Sequence, residues 1–192
     1  MIYAGGIYYG RDRTLVKVAD AVRKLREEGN DVELHIYTGS PLKRKMEIPL
    51  NDGAASFVHP AVSAGELARR YDESDIALHV ESFQKKNALL TRLSFSTKIV
   101  DCLASGCAVL AICPSINAGW QYLKENDGAL CVEKLATVEN AVRALVTDTE
   151  LRRCYEEKAA LLLREKHDEC QVRRGLLEDL STLVKAKRGG MA

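Results

Sequence analysis

Ser94-Phe95-Ser96-Thr97-Lys98-Ile99-Val100-Asp101-Cys102-Leu103-Ala104-Ser105-Gly106-Cys107-Ala108-Val109-Leu110-Ala111 joins a polar turn, a short helix, a glycine and an apolar strand. We predict that the helix begins at Thr97 or Lys98 with Ser96 as its N-cap, because serine is favoured there and apolar periodicity starts at once. Gly106 should end the helix. The stretch therefore predicts a helix followed by a buried strand, and the rest of the chain repeats that alternation.

The polar face of this helix carries Lys98, Asp101 and Ser105 at spacings of three and four. Free backbone N–H groups and the helix dipole favour a phosphate near Ser96, Thr97 and Lys98, and Lys98 adds a full charge. Asp101 follows one turn later, ~5 Å along the axis, which suits a carboxylate that accepts from two ribose hydroxyls. The pattern indicates a nucleoside diphosphate site. The alternative is an ordinary amphipathic helix with a solvated face.

Composition limits the class of protein. The chain has 192 residues and 46% hydrophobic content, enough for one domain of ordinary size or one domain with a helical appendage. The net charge of +1 disfavours a nucleic-acid partner, because no global positive field is present. No apolar run approaches the roughly 18 residues of a membrane span, and the N-terminus lacks a signal-peptide layout. We therefore expect a cytoplasmic protein.

Cysteine and histidine spacing gives no sign of a metal. The six cysteines form no Cys-x-x-Cys pair and mostly lie in apolar runs, as small buried hydrophobic residues do. The four histidines are dispersed, and His35 and His79 lie in predicted strands, where a structural role is commoner. We predict neither a metal site nor a bound cofactor.

Strands and helices alternate along the whole chain. The predicted strands are 2–4, 32–38, 56–60, 76–80, 108–112 and 129–132. The other predicted helices are 13–28, one capped by Ser63, one opening at 118–123, and 138–146, 150–164 and 172–186. We predict a solvated loop or short helix at 43–45, and an irregular segment at 81–93 whose polar tip, 84–87, serves as a flap.

This alternation predicts an α/β fold, a Rossmann-like parallel sheet with helices on both faces and extra C-terminal helices. Ligands of such sheets bind at the carboxyl ends of the strands, where Gly5, His59 and Glu81 fall. We assign residues 1–150 to a nucleotide-sugar-binding domain and 151–192 to a helical extension packed on it.

A glycine pair follows the first predicted strand. Gly5 and Gly6 permit close approach of backbone to ligand, and Arg11 and Arg13 stand near the start of the next helix, where a phosphate would bind. The loop lacks the Gly-x-Gly-x-x-Gly of a dinucleotide site, and no acid ends the second strand, so we exclude NAD. The alternative is a turn glycine at a strand end.

The motif from Ser96 to Ala111 resembles a motif of the retaining, GT-B-type glycosyltransferases, Pro-Ser/Thr-Lys-hydrophobic-x-Glu-Tyr-hydrophobic-Ala-x-Gly-x-Pro-Val-hydrophobic-Ala. Asp101 stands where the family has Glu, and Leu93 stands where many members carry a first acid. The ranges 62–80 and 118–132 are also similar to family segments, so the resemblance spans most of residues 1–150.

The resemblance implies a C-terminal, donor-binding half of a GT-B enzyme that moves a sugar from a UDP- or GDP-type nucleotide-sugar to a polysaccharide, glycan or other acceptor. It implies a nucleotide-sugar site that needs no metal ion. The resemblance does not identify the catalytic residues. Phosphate contacts would come from Lys98, from Ser96 and Thr97, from Gly5 and Gly6, and from Arg11 or Arg13. Asp101 would hold the ribose, His59 would border the nucleobase, and Glu81 completes the donor-site set.

The same resemblance leads us to expect an N-terminal acceptor-binding domain upstream of Met1, without which this chain would be inactive alone. Peripheral membrane association of the full-length protein stays open. Two alternatives also stay open: a GT-B-like sugar-nucleotide epimerase, which would act without acceptor, and a non-catalytic nucleotide-binding module, which would bind tightly and turn nothing over.

Overall fold

A computed structural model describes the backbone of residues 1–189 and the side chains of residues 1–182. Its strands are Ile2–Ala4 (β1), Leu34–Thr38 (β2), Ser56–Pro60 (β3), Ile76–Val80 (β4), Ala108–Ile112 (β5) and Leu130–Val132 (β6). Its α-helices are Arg11–Glu27 (α1), Arg44–Leu50 (α2), Ala64–Asp72 (α3), Lys85–Thr91 (α4), Lys98–Ala104 (α5), Ala118–Glu125 (α6), Val138–Thr147 (α7), Thr149–Lys166 (α8) and Glu169–Gly189 (α9).

The strands form one parallel sheet in the order β3-β2-β1-β4-β5-β6. The strand that starts at Ile2 is therefore central, paired with β2 on one side and β4 on the other. The strand order reverses between β1 and β4, and such a switch point opens a crevice at the carboxyl ends of the strands. The predicted α/β, Rossmann-like class is confirmed.

Two apolar layers cover the sheet because successive strand residues face opposite sides. One layer receives Leu78 and Val80 of β4 together with α1, α2 and α7. The other receives Ala77 of β4 together with α3, α5, α6 and α8. Every residue of β5 is fully buried, as expected of a strand covered on both faces.

The C-terminal helices differ in how they contact this body. In α8, Ala159 and Leu162 are buried in the same layer as α5. A Cβ atom at Gly128 would overlap Leu162 Cδ2, so α8 packs closely against that turn. The described part of α9 exposes Val172 and Leu176. Residues 190–192 of the predicted extension lie outside the described residues.

The segment 81–93 differs from prediction, because it contains helix α4 at Lys85–Thr91 rather than irregular chain. Contacts from distant parts of the chain stabilise it. Asn117 Nδ2 donates to the carbonyl of Thr91 at 3.1 Å, and the N–H of Ala118 donates to Arg92 O at 2.7 Å. Because these stabilising contacts come from outside the helix, the seven residues of α4 carry no hydrophobic periodicity that would predict a helix. None of the helices described here combines the length and apolarity that a membrane crossing requires.

Candidate functional site

A cavity of about 310 Å³ opens at the carboxyl ends of β1, β2 and β3. Its lining brings together four of the predicted site residues, Gly5, Gly6, Lys98 and Asp101, from two segments far apart in sequence. The remaining wall is formed by Ala4, Tyr37, Thr38, Gly39, Ala61, Val62 and Leu67. The cavity thus lies at the edge where parallel α/β sheets bind their ligands.

The loop after β1 is held in place by three hydrogen bonds. Gly5 N–H donates to Tyr37 O at 2.9 Å, Tyr3 Oη donates to Gly6 O at 2.7 Å, and Ile7 N–H donates to Ser40 Oγ at 3.1 Å. Within the part of the chain that the structure describes, the N–H of Gly6 has no such acceptor. The loop therefore presents a fixed backbone donor at the cavity.

Lys98 lies directly across this loop. A Cβ atom at Gly5 would overlap Lys98 Cε, so the absence of a side chain at Gly5 allows the close approach. Among the described residues Lys98 forms no ion pair within 4.0 Å. Its ammonium group is therefore available to an anion in the cavity.

The start of α5 corrects one prediction. Helix α5 begins at Lys98, directly after Thr97 rather than after Ser96, and no side chain of a described residue accepts a capping hydrogen bond there, so Ser96 is not a side-chain N-cap. The first turn is closed by backbone bonds instead, from Ile99 N–H to Ser96 O at 3.0 Å and from Val100 N–H to Thr97 O at 3.1 Å. Within residues 1–189, the N–H groups of Thr97 and Lys98 have no acceptor.

Asp101 is exposed and stands one turn beyond Lys98 on α5. It lines the cavity described above and also a groove of about 280 Å³ between α3 and α5, and Leu67 is the other residue that both share. The carboxylate therefore borders the space next to Lys98, at the separation that one helical turn provides.

Arg11 and Glu81, both predicted donor-site residues, form a bidentate ion pair with each other. Arg11 Nη2 lies 2.6 Å from Glu81 Oε1, and Arg11 Nε lies 3.1 Å from Oε2. The Glu81 side chain is only 4% exposed. Burial alone would lower the pKa of Arg11, but the hydrogen bond and charge of Glu81 outweigh it and raise that pKa. The pair joins the start of α1 to the end of β4, and their contact with a donor stays a prediction.

Arg13 and His59 lie beside the cavity rather than in its wall. Arg13 is exposed, and with the Gln84 amide oxygen turned toward it, Nε donates to that oxygen at 2.9 Å. The His59 ring stacks on Tyr37 with centroids 4.7 Å apart, and its Nε2 is 3.0 Å from His35 Nδ1. Partial burial, with the neighbouring charges of His35 and Arg70, lowers the pKa of His59.

His79, expected from the sequence to be a structural histidine in a strand, lies beneath this edge on β4. The side chain is 4% exposed, and its Nε2 has no hydrogen-bond partner among the described residues. A Cβ atom at Gly119 would be 3.4 Å from that nitrogen, so the ring packs against the start of α6. Burial, followed by the positive charges of Arg11 and Lys98, lowers the pKa of His79 to about 4. The imidazole is therefore neutral at pH 7.

His79 should make folding stability depend on pH. The unfolded chain binds a proton with an ordinary histidine pKa near ~6.5, whereas folded His79 stays neutral down to about pH 4. Stability is therefore lost as pH falls below the unfolded value, by about 2 kcal/mol between pH 7 and pH 5. Urea unfolding of wild type and His79→Gln at both pH values measures this, and the variant should lose less by that amount. Equal losses in both proteins would contradict it.

The part of the chain that the structure describes holds no group of three or more His, Cys, Asp or Glu side chains placed to bind a metal ion. The donors at the cavity are instead one ammonium, backbone N–H groups and one carboxylate. This set of groups suits an anion that also carries hydroxyls.

Solved structures share the fold of this chain. The C-terminal domain of the group 1 family glycosyl transferase LpcC from Francisella tularensis is 16% identical, with TM-score 0.62, and the match covers 88% of this chain and 86% of that one. The α,α-trehalose 6-phosphate synthase from Burkholderia multivorans is 13% identical, with TM-score 0.71, and the match covers 100% of this chain and 44% of that one.

A third match is the pneumococcal O-GlcNAc transferase GtfA in complex with UDP and GlcNAc, at 15% identity and TM-score 0.59, covering 96% of this chain and 35% of that one. This chain therefore spans less than half the length of the synthase and of GtfA. No protein-family model and no curated protein sequence matches it. At these identities the likeness confirms the predicted fold, that of the C-terminal domain of GT-B glycosyltransferases.

Proposed function

We propose that this chain is the donor-binding domain of a glycosyltransferase that moves a sugar from a nucleoside-diphosphate sugar to a glycan or other acceptor. The observation that carries the proposal is the cavity that gathers Gly5, Gly6, Lys98 and Asp101 at the carboxyl ends of β1, β2 and β3. The glycines allow the backbone to approach the ligand closely, the lysine supplies a cation, and the carboxylate supplies a hydroxyl acceptor.

The diphosphate would bind between the loop after β1 and the start of α5. Lys98 lies across Gly5, and the N–H groups of Gly6, Thr97 and Lys98 have no acceptor among the described residues. These fixed donors stabilise the negative charge that develops on a leaving diphosphate. We propose that the protein supplies this positive potential without a required metal ion.

The nucleoside would follow from Asp101 toward the end of β3. Asp101 accepts from the ribose hydroxyls, one helical turn from Lys98. The base then lies against the wall formed by Tyr37, Ala61 and Val62, with His59 stacked behind Tyr37. A wall of backbone and apolar side chains favours contacts through the main chain, so several nucleobases fit this description equally.

The solved structures support a nucleotide-sugar donor, since GtfA was solved with UDP and GlcNAc and a trehalose-6-phosphate protein from E. coli with UDP-2-fluoro glucose. We propose a cytoplasmic transferase that acts in polysaccharide or glycan synthesis and takes its acceptor on a further domain. In that arrangement this chain alone binds donor without transferring sugar, because transfer requires the acceptor to be positioned across the closed cleft.

Nucleoside diphosphates should bind more tightly than monophosphates. The second phosphate reaches Lys98 and the backbone donors, and each charge-assisted hydrogen bond contributes roughly 1.5–3 kcal/mol. Calorimetry with UDP, GDP, ADP and the matching monophosphates measures the difference, which should exceed about tenfold for the preferred base. Equal affinity for both forms would exclude the diphosphate site. Conversion of a nucleotide-sugar without any acceptor would favour an epimerase instead.

A further inference from the structure

A second cavity, of about 250 Å³, lies at the same edge of the sheet, between the loop after β1 and the loop after β2. It shares no lining residue with the cavity assigned to the nucleotide. Its wall combines two tyrosines, a carboxylate, a lysine and apolar side chains, including Tyr8, Tyr9, Asp12, Lys43 and Met46. Mostly apolar pockets with a few polar groups are typical of small-molecule sites.

Asp12 is the chemically active group of this cavity. Its side chain is 5% exposed, although aspartate is almost never so buried without a partner. Oδ1 accepts from the N–H of Arg13 at 3.1 Å. Oδ2 is 3.5 Å from Nζ of Lys43, which exceeds the length of a charge-assisted hydrogen bond, and Lys43 is 68% exposed. The carboxylate therefore keeps hydrogen-bonding capacity for a ligand.

The two tyrosines are held at the mouth of the cavity by an unusual backbone. Tyr8 and Tyr9 are 55% and 59% exposed. Tyr9 has φ +57°, and the following Gly10 has φ +83°. A Cβ atom at Gly10 would be 2.7 Å from Ser82 Oγ, so the loop packs closely against the segment that follows β4. Left-handed backbone at a bulky residue persists only where the surroundings enforce it, and it is concentrated at functional sites.

We propose that this second cavity binds one sugar ring of a saccharide acceptor, distant from the reacting end that a further domain would hold. The Asp12 carboxylate accepts from ring hydroxyls, Lys43 donates to another hydroxyl, and the phenol rings of Tyr8 and Tyr9 pack against the apolar C–H face of the sugar. A phosphate is disfavoured because Asp12 would repel it. The saccharide site itself is argued from the residues of this cavity, and only the naming of the saccharide as the acceptor rests on the proposed transferase function.

Saturation-transfer NMR and calorimetry with maltotriose, cellotriose, chitotriose and the methyl glycosides of glucose, galactose and mannose test the proposal. Wild type should bind at least one of these saccharides. Asp12→Asn should weaken that binding about tenfold or more, and Lys43→Ala, a change at an exposed side chain, should weaken it as well. Asp20→Asn, an exposed position on the same helix, is the matched control and should change nothing.

UDP binding measured on the same proteins separates this inference from the proposed function. A separate saccharide site is supported if Asp12→Asn and Lys43→Ala weaken saccharide binding and leave UDP binding unchanged. Saccharide binding without any UDP binding would exclude the proposed nucleotide site and would still support the saccharide site. Two results overturn the saccharide site: no response from any of the six saccharides, or equal loss of UDP and saccharide binding in Lys43→Ala.

Discussion

Replacing Arg11 by methionine is expected to lower the free energy of unfolding by about 3–5 kcal/mol, because it leaves the carboxylate of Glu81 buried and uncompensated. Glu81 is 4% exposed and receives both of its side-chain hydrogen bonds from Arg11. No other described cation lies within 4.0 Å of it. Urea unfolding near pH 7 measures the loss.

Two further variants separate the ion pair from general effects. Arg13→Met changes an exposed arginine in the same first turn and should stay within about 0.5 kcal/mol of wild type. Glu81→Gln combined with Arg11→Met removes the buried charge and should recover most of the lost stability. A loss below about 1 kcal/mol for Arg11→Met would mean that the pair behaves as a surface salt bridge.

Lys98→Ala is expected to weaken the binding of nucleoside diphosphates by about 2–4 kcal/mol, or roughly 30-fold to 1,000-fold. The lysine has no anionic partner among the described residues and lies across Gly5 in the cavity, so its charge is available to the diphosphate alone. The remaining affinity should also depend less on salt, since one full charge has been removed.

Asp101→Ala should behave differently, because the carboxylate contacts hydroxyls rather than phosphate. It should abolish the preference for ribose over 2′-deoxyribose ligands without lowering the salt dependence of binding. Calorimetry with UDP and dUDP at two salt concentrations distinguishes the two variants, and Ser105→Ala, two turns from the start of α5 on its polar face, is the matched control. A ribose preference that survives Asp101→Ala would make the residue an ordinary exposed side chain.

The architecture was predictable because its signals are local. Strands β4 and β5 are short, mostly apolar runs, β2 and β3 contain apolar residues between polar or glycine-containing turns, and alternation with helices predicts a parallel sheet. Ser63 caps α3 as expected, accepting from Glu66 N–H at 3.3 Å. The prediction of irregular chain at 81–93 was wrong because α4 is stabilised by a hydrogen bond from Asn117, which is far away in sequence.

The cavity was partly predictable for a related reason. Gly5 and Lys98 each mark an anion site by local chemistry, and the carboxyl edge of the sheet brings them together. Pairing across 70 residues leaves no local pattern, so nothing in the sequence indicated that Arg11 and Glu81 would contact each other. The sequence likewise contained no sign that Nε2 of His79 would lack a hydrogen-bond partner among the described residues, because a histidine in an apolar strand has the same sequence pattern with or without a partner.

The central position of β1 has a consequence for the order in which the chain folds. Within this domain β1 is synthesised before both of its partners, and its partner residue Ala77 follows much later than His35. Both edges of β1 are therefore paired only after β4 has been synthesised, and the side chains of Ile2 and Tyr3, which are buried in the folded protein, are incompletely covered until then. Non-local parallel pairing of this kind slows folding, and until β4 is synthesised β1 keeps an open edge that can pair with another chain.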